Sequence, residues 1–315
     1  MTDRSPVVLF AAKTERWEQY EGPLRTAFDA AGLGDATLTT EADPAEVDYI
    51  IYAPNSGLTD FTPFTRLKAV LNLWAGVEDV TGNPTLNVPL ARMVDDGLTE
   101  GMVEWVTGHV LRHHLGMDTH IHGQDGVWRA GSAPPLARDR TVAVLGLGVL
   151  GAACARALSA LNFRVLGWSR SAKSIDGIET AHGEDGLDAT LRRAEIVVLL
   201  LPDTPATENT LNARTLALVP RGAVIVNPGR GPLIDDDALL QALDSGQVGH
   251  ATLDVFRTEP LPPEHPYWAH PRVTVTPHIA SETRPISAAR VIAENIRRGE
   301  AGEPFLHLVD RGAGY

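Results

Sequence analysis

The sequence contains one cysteine, Cys154. That excludes any disulfide within the chain and fits a reducing compartment. Long apolar runs are also missing, since no window approaches the roughly 20 residues of a membrane-spanning helix. Near the start, Val7-Val8-Leu9-Phe10 is too short for the apolar core of a signal peptide, so the cytoplasm is the expected location. Basic residues are the minority, with 27 Lys and Arg against 40 Asp and Glu and a net charge of -13. A surface of that sign repels phosphate backbones, which argues against a nucleic-acid partner but leaves room for a small anion in a local cleft. No internal repeat and no low-complexity segment appears.

What is present is the composition of a folded protein, 43% hydrophobic and 21% charged over 315 residues. That length allows two domains, each with its own core. Short apolar runs alternate with amphipathic stretches, the pattern of an α/β chain with parallel sheets. Strands are expected at 7–11, 49–53 and 69–73, with a helix over 17–31 stopped by Gly32. A longer helical pattern covers 100–115, carrying Met102, Val103, Val106, Val110 and Leu111. After a Gly/Pro/Ser-rich segment at 123–135, strands are expected at 142–146, 164–167, 196–201, 223–227, 251–255 and 273–276. These later strands suffice for a complete doubly wound sheet. The amphipathic stretch 287–298 follows that sheet, so the chain is expected to return to its first domain. The expected division is 1–99 plus 286–315 for an outer, discontinuous domain and 100–285 for an inserted one.

Gly146-Leu147-Gly148-Val149-Leu150-Gly151 follows the strand at 142–146 and opens a helical stretch at Ala152. A lone pattern of this kind is weak, but its position between strand and helix strengthens it. Gly146 permits a tight turn, Gly148 leaves space for a pyrophosphate, and Gly151 lets helix and strand pack closely. A dinucleotide site follows, in which Cys154 is a small packing residue. An acidic residue about 20 positions on would select NAD through the ribose hydroxyl. The chain instead has Trp168-Ser169-Arg170-Ser171-Ala172-Lys173 there. Ser169, Arg170, Ser171 and Lys173 suit a 2′-phosphate, although cations in a loop are also common as plain solvated charge. NADP(H) is therefore the expected cofactor, with NAD(H) as the alternative. Leu201, Pro202 and Pro228, past the strands at 196–201 and 223–227, are counted as further cofactor contacts.

Three residues past later strands carry the chemistry. Arg230 follows the strand at 223–227, Glu259 the one at 251–255 and His278 the one at 273–276. Loops at the carboxyl ends of parallel strands line the ligand crevice, so all three can reach its reactive end. Together with the mid-chain glycine turn, this constellation resembles the D-isomer-specific 2-hydroxyacid dehydrogenase family over essentially the whole chain. Within the family the sequence most resembles the bacterial glyoxylate/hydroxypyruvate reductases of the A type. Trp168-Ser169-Arg170-Ser171, Thr276-Pro277-His278-Ile279-Ala280 with Thr283-Arg284-Pro285, and the ending Val309-Asp310-Arg311 with Gly314-Tyr315 carry that likeness. Gly229 departs from the family pattern, which usually has another small residue before the arginine.

The resemblance implies two Rossmann-like or flavodoxin-like domains with doubly wound parallel sheets, the cofactor domain being inserted in the other. It implies that Arg230 binds the substrate carboxylate and that His278 is the general acid, with Glu259 holding its far ring nitrogen. The expected reaction is NADPH-dependent reduction of small 2-keto acids, glyoxylate and hydroxypyruvate first. Hydride addition to such a substrate builds an alkoxide beside a carboxylate, which a proton donor and a fixed cation would stabilise. The alternatives are another 2-hydroxy acid in the same family, or a silent dinucleotide sensor. Asp254 is expected either at the nicotinamide carboxamide or as a turn cap. Trp74, Ala75 and Gly76 form the expected substrate turn, with Trp74 as a pocket wall or a core aromatic. His109, His113, His114, His120 and His122 suggest a metal, but no cysteine and no regularly spaced carboxylate completes a set, so none is expected. Trp128 is a candidate for the interface of an expected homodimer.

Overall fold

The structure, a computed structural model, describes residues 4–128, 131 and 133–314. Tyr315, part of the closing resemblance, and three residues of the segment 123–135 lie outside them. The chain forms two compact units, one built from the N-terminal part through Leu98 together with Glu282 onward, the other from Thr99–Ser281. Among the described residues, no helix is long and apolar enough to cross a membrane.

The first unit is a sheet of five parallel strands: β1 (Val7–Ala11), β2 (Thr37–Thr39), β3 (Tyr49–Tyr52), β4 (Ala69–Asn72) and β5 (Leu90–Ala91). Its order, β2-β1-β3-β4-β5, is the flavodoxin-like one. Every residue of β3 and β4 is buried, as expected of strands covered on both faces. The helices Thr14–Ala30 and Pro285–Ala301 share one core over the sheet. The second helix presents Ala288, Ala289, Ile292, Ala293 and Ile296 as a buried stripe at helical spacing, so the last part of the chain completes a core that its beginning starts.

The second unit is a seven-stranded parallel sheet: β6 (Thr141–Leu145), β7 (Arg164–Ser169), β8 (Glu179–His182), β9 (Ile196–Leu199), β10 (Ala223–Asn227), β11 (Val248–Leu253) and β12 (Val273–Val275). The order β12-β11-β10-β9-β6-β7-β8 is the dinucleotide-binding order with one strand added at an edge. Its direction of winding reverses between β6 and β9, and the glycine turn leaves the sheet at that point.

The structure corrects the expected elements in three places. Strands β2, β5 and β8 were not anticipated, because edge strands this short carry no legible alternation. The helix expected from residue 100 runs Asp96–His114. It starts early because Asp95 accepts a bond from the N–H of Leu98 at 3.3 Å, a capping contact that precedes the apolar periodicity. A separate helix, Met117–His122, then follows the left-handed Gly116.

Gly146 has φ +104, and a Cβ at Gly151 would lie 1.8 Å from the Gly146 carbonyl oxygen. The Gly151→Ala variant should therefore lower the denaturation midpoint, the overpacking costing about 1–3 kcal/mol. Urea unfolding followed by circular dichroism measures it.

Candidate active site

The helix Val149–Ala160 begins at Gly148, and no side chain caps it. An added Cβ at Gly148 would meet nothing within 4 Å, so open space lies over the first free N–H groups. The β9 end closes the other side: Leu200 N–H donates to the Leu145 carbonyl at 2.7 Å, bringing Leu201 and Pro202 beside the turn. An uncapped helix start under open space fits a pyrophosphate.

At the end of β7, Ser169 is buried and its hydroxyl donates to the Ser171 carbonyl at 2.8 Å. Lys173 donates to the carbonyl of Leu147, inside the glycine turn, at 2.9 Å. Of the four expected phosphate contacts, Ser169 is buried, and Arg170, Ser171 and Lys173 are exposed.

The three expected catalytic residues belong to one unit, and buried polar side chains set two of their loops. Asn227 ends β10 at 1% exposure. Its amide donates to the Arg230 carbonyl at 2.9 Å and accepts from Gly229 N–H at 3.1 Å, fixing the turn through Pro228. Arg230 Nη1 donates to the Gly229 carbonyl at 2.7 Å. A Cβ at position 229 would sit 2.8 Å from the Leu199 carbonyl oxygen, so glycine suits this tight approach.

Asp254 is fully buried. Its carboxylate accepts from Thr276 Oγ1 at 2.5 Å, Ile279 N–H at 2.9 Å and Ala280 N–H at 2.8 Å, and its carbonyl accepts from His278 N–H at 2.8 Å. Of the two expectations for Asp254, these bonds favour the turn clamp. They hold His278 at φ +55, a left-handed conformation that a non-glycine residue keeps only when its surroundings enforce it.

His278 Nδ1 lies 2.7 Å from Glu259 Oε2, and Glu259 Oε1 accepts from Phe256 N–H at 2.9 Å. The imidazole is half exposed, and its Nε2 has no hydrogen-bond partner among the described residues. The Glu259 bond raises the His278 pKa above its ordinary value, against opposing burial. For Glu259, burial pushes the carboxyl up, but the bonds from His278 and Phe256 outweigh it and hold the pKa below the ordinary value. Both shifts favour an imidazolium next to a carboxylate.

In the first unit, Asn72 ends β4 at 1% exposure and donates to the carbonyls of Trp74 and Gly76 at 2.9 and 2.8 Å. The N–H groups of Ala75 and Gly76 have no hydrogen-bond partner among the described residues. Trp74 is 39% exposed, so it is not a core aromatic. Asn72, Asn227 and Thr276 were missed from sequence. A polar residue closing an otherwise apolar strand was the available signal.

A family description, D-isomer specific 2-hydroxyacid dehydrogenase, NAD binding domain, matches residues 107–280. Glyoxylate/hydroxypyruvate reductase A of Serratia proteamaculans is 42% identical over 259 residues, covering 79% of this chain and 82% of that protein. A D-isomer specific 2-hydroxyacid dehydrogenase from Xanthobacter autotrophicus Py2, solved with NADPH and MES, superposes with TM-score 0.91 at 41% identity, covering 99% of this chain and 100% of that one. An NADPH-dependent glyoxylate/hydroxypyruvate reductase from Sinorhizobium meliloti, solved with NADP and sulfate, gives TM-score 0.84 at 37% identity, with 99% and 100% covered.

The histidines divide by environment. His120 and His122 are exposed, His109 packs at a tilt against Trp105, and His114 packs edge-on against Phe163. His113, Asp118 and His250 bring ligand atoms within 4.8 Å of one another, so the carboxylate that spacing did not supply is Asp118. Arg112 Nε already donates to Asp118 at 2.6 Å, and its charge opposes a second cation. His113 and His250 instead bond Thr252 and Thr274 at 2.8 and 2.9 Å. Burial lowers their pKa values from 6.5 to about 3 and about 4. Both rings are neutral in the folded protein, so the stability they confer is present above pH 6.5 and is lost as pH falls toward 4. Thermal unfolding between those pH values should show a falling midpoint, and His250→Gln should flatten the slope.

Proposed function

This chain belongs to the D-isomer specific 2-hydroxyacid dehydrogenase family, an oxidoreductase family using nicotinamide dinucleotides, and from that premise we propose that it reduces small 2-keto acids with NADPH. Glyoxylate and hydroxypyruvate are the first candidates. The observation that carries this reading is the His278–Glu259 pair at 2.7 Å beside the charge of Arg230.

Arg230 binds the substrate carboxylate and polarises the keto oxygen. Within the first unit, the N–H groups of Ala75 and Gly76, which have no partner among the described residues, are the substrate contacts of this reading, with Trp74 beside them. His278 Nε2 donates its proton to the keto oxygen, and Glu259 keeps the ring oriented and charged for that step. When bound, the dinucleotide supplies the hydride. Gly146 to Gly151, with Leu201, Pro202 and Pro228, hold its pyrophosphate and nicotinamide arms. Arg170 and Ser171 meet the 2′-phosphate, supported by the lack of any acid in residues 168–173 and by the NADP(H) bound to both relatives above. Trp128, at 94% exposure, with Val127 and Ile121 supports the expectation of a homodimer, which the chain would form in the cytoplasm.

A panel of 2-keto acids, followed by NADPH absorbance, tests the reading. The His278→Ala variant should lose on the order of 10²–10⁴ in kcat/KM, and turnover within a few fold of the parent would overturn the acid role. Because Glu259 raises the His278 pKa, activity is full below that raised value and falls as pH rises through it. In Glu259→Gln, the alkaline fall of kcat/KM should shift to lower pH. For Arg170→Ala, the KM for NADPH should rise roughly tenfold or more while that for NADH stays within a few fold. A parent that clearly prefers NADH would remove the NADP(H) assignment.

A further inference from the structure

Arg257 lies one residue past Phe256, whose N–H donates to Glu259, and two residues before Glu259 itself. Its guanidinium reaches across to the loop that follows β10, the loop that carries Arg230. Nη2 donates to the Ile234 carbonyl at 2.7 Å and to the Pro232 carbonyl at 3.3 Å. The same nitrogen donates to the Asn209 side chain, and the Asn209 N–H in turn donates to the Pro232 carbonyl at 2.9 Å. Two carboxylates lie farther off, Glu208 at 3.4 Å and Asp236 at 3.6 Å.

These contacts differ in weight. Glu208 is exposed and its pair with Arg257 is long, so water screens most of that attraction. The carbonyl bonds are charge-assisted, and Ile234 is only 2% exposed, where an acceptor left unmet is costly. The carbonyls are therefore the main partners. On the near side of the same loop, a Cβ at Gly231 would lie 2.0 Å from the carbonyl carbon of Phe256. Backbone thus rests on backbone directly beside Arg230, while a planar fork fastens the loop a few residues on.

We propose that Arg257 is a positioning residue, locking the Arg230 loop to the Glu259 loop so that the substrate-binding cation and the partner of the proton donor move as one piece. The proposal rests on the reading that Arg230 takes the substrate carboxylate and His278 gives the proton. Its signature is a sign. The charged groups acting on the His278 imidazole are Glu259, Arg230 and Asp254. Removing the Arg257 cation could, through charge alone, only raise the pKa of an imidazole. Loosening Glu259 from the ring lowers it.

The test uses Arg257→Met, which keeps much of the stem and loses the fork. With glyoxylate and NADPH, kcat/KM should fall about tenfold or more, with a raised KM, and its alkaline fall should move to lower pH. Without substrate, NMR titration of the His278 ring should move in the same direction. Arg257→Lys, which keeps the charge but not the fork, should shift both readouts the same way, and it serves if the Met variant does not fold. Glu208→Gln, which removes only the exposed pair, should stay within a few fold of the parent with its pH profile in place. An alkaline limb and a His278 titration that stay in place or move to higher pH overturn the coupling while the function stands. If the parent reduces no 2-keto acid, the functional reading falls, and the His278 titration alone decides the coupling.

Discussion

At the end of a parallel strand the backbone leaves its ladder, and whatever follows must be held by something else. In this protein three buried side chains take over that task. Asn72, Asn227 and Asp254 are each at most 1% exposed, and each bonds the main chain of the loop that follows its own strand or a neighbouring one. A buried amide or carboxylate left without partners is costly, so these residues and their loops constrain each other. The loops cannot wander without stranding the clamp, and the clamp cannot turn without releasing the loop. Arg230, the Trp74–Gly76 turn and His278 inherit their positions from that mutual constraint.

His278 shows how the constraint becomes chemistry. Its backbone is held left-handed by bonds to Asp254, while its ring is held by Glu259. Separate acids thus govern place and charge. Asp254 spends both carboxylate oxygens on the loop, which leaves the Glu259 bond as the leading influence on the imidazole. At the cofactor turn, Lys173 links two segments in a similar way, its ammonium bonded to the Leu147 carbonyl.

How much of this was legible in the sequence depended on whether the signal was local. Runs such as Ile196–Leu199 and Ala223–Asn227, buried almost throughout, announce central parallel strands by themselves. Thr37–Thr39, Leu90–Ala91 and Glu179–His182 do not, because their pairing depends on a neighbour that sequence does not reveal. The glycine turn and the residues Arg230, Glu259 and His278 were legible for the same reason as the central strands: each is punctuated by the strand before it. The Asn72 and Asn227 clamps carry only an ambiguous signal, since an asparagine closing an apolar strand reads equally well as a turn former. The meeting of His113 with His250 arises between segments far apart in the chain.

The first unit is split, and its core waits on Ala288, Ala289, Ile292, Ala293 and Ile296, which lie beyond the whole of the second unit. During synthesis the contiguous second unit can emerge and close its sheet while the first still exposes the apolar face meant for the helix Pro285–Ala301. The nascent chain therefore carries an open hydrophobic surface for the time needed to translate the intervening residues. A chaperone that shields this face would matter more to the yield of native protein than any help given to the nucleotide-binding half.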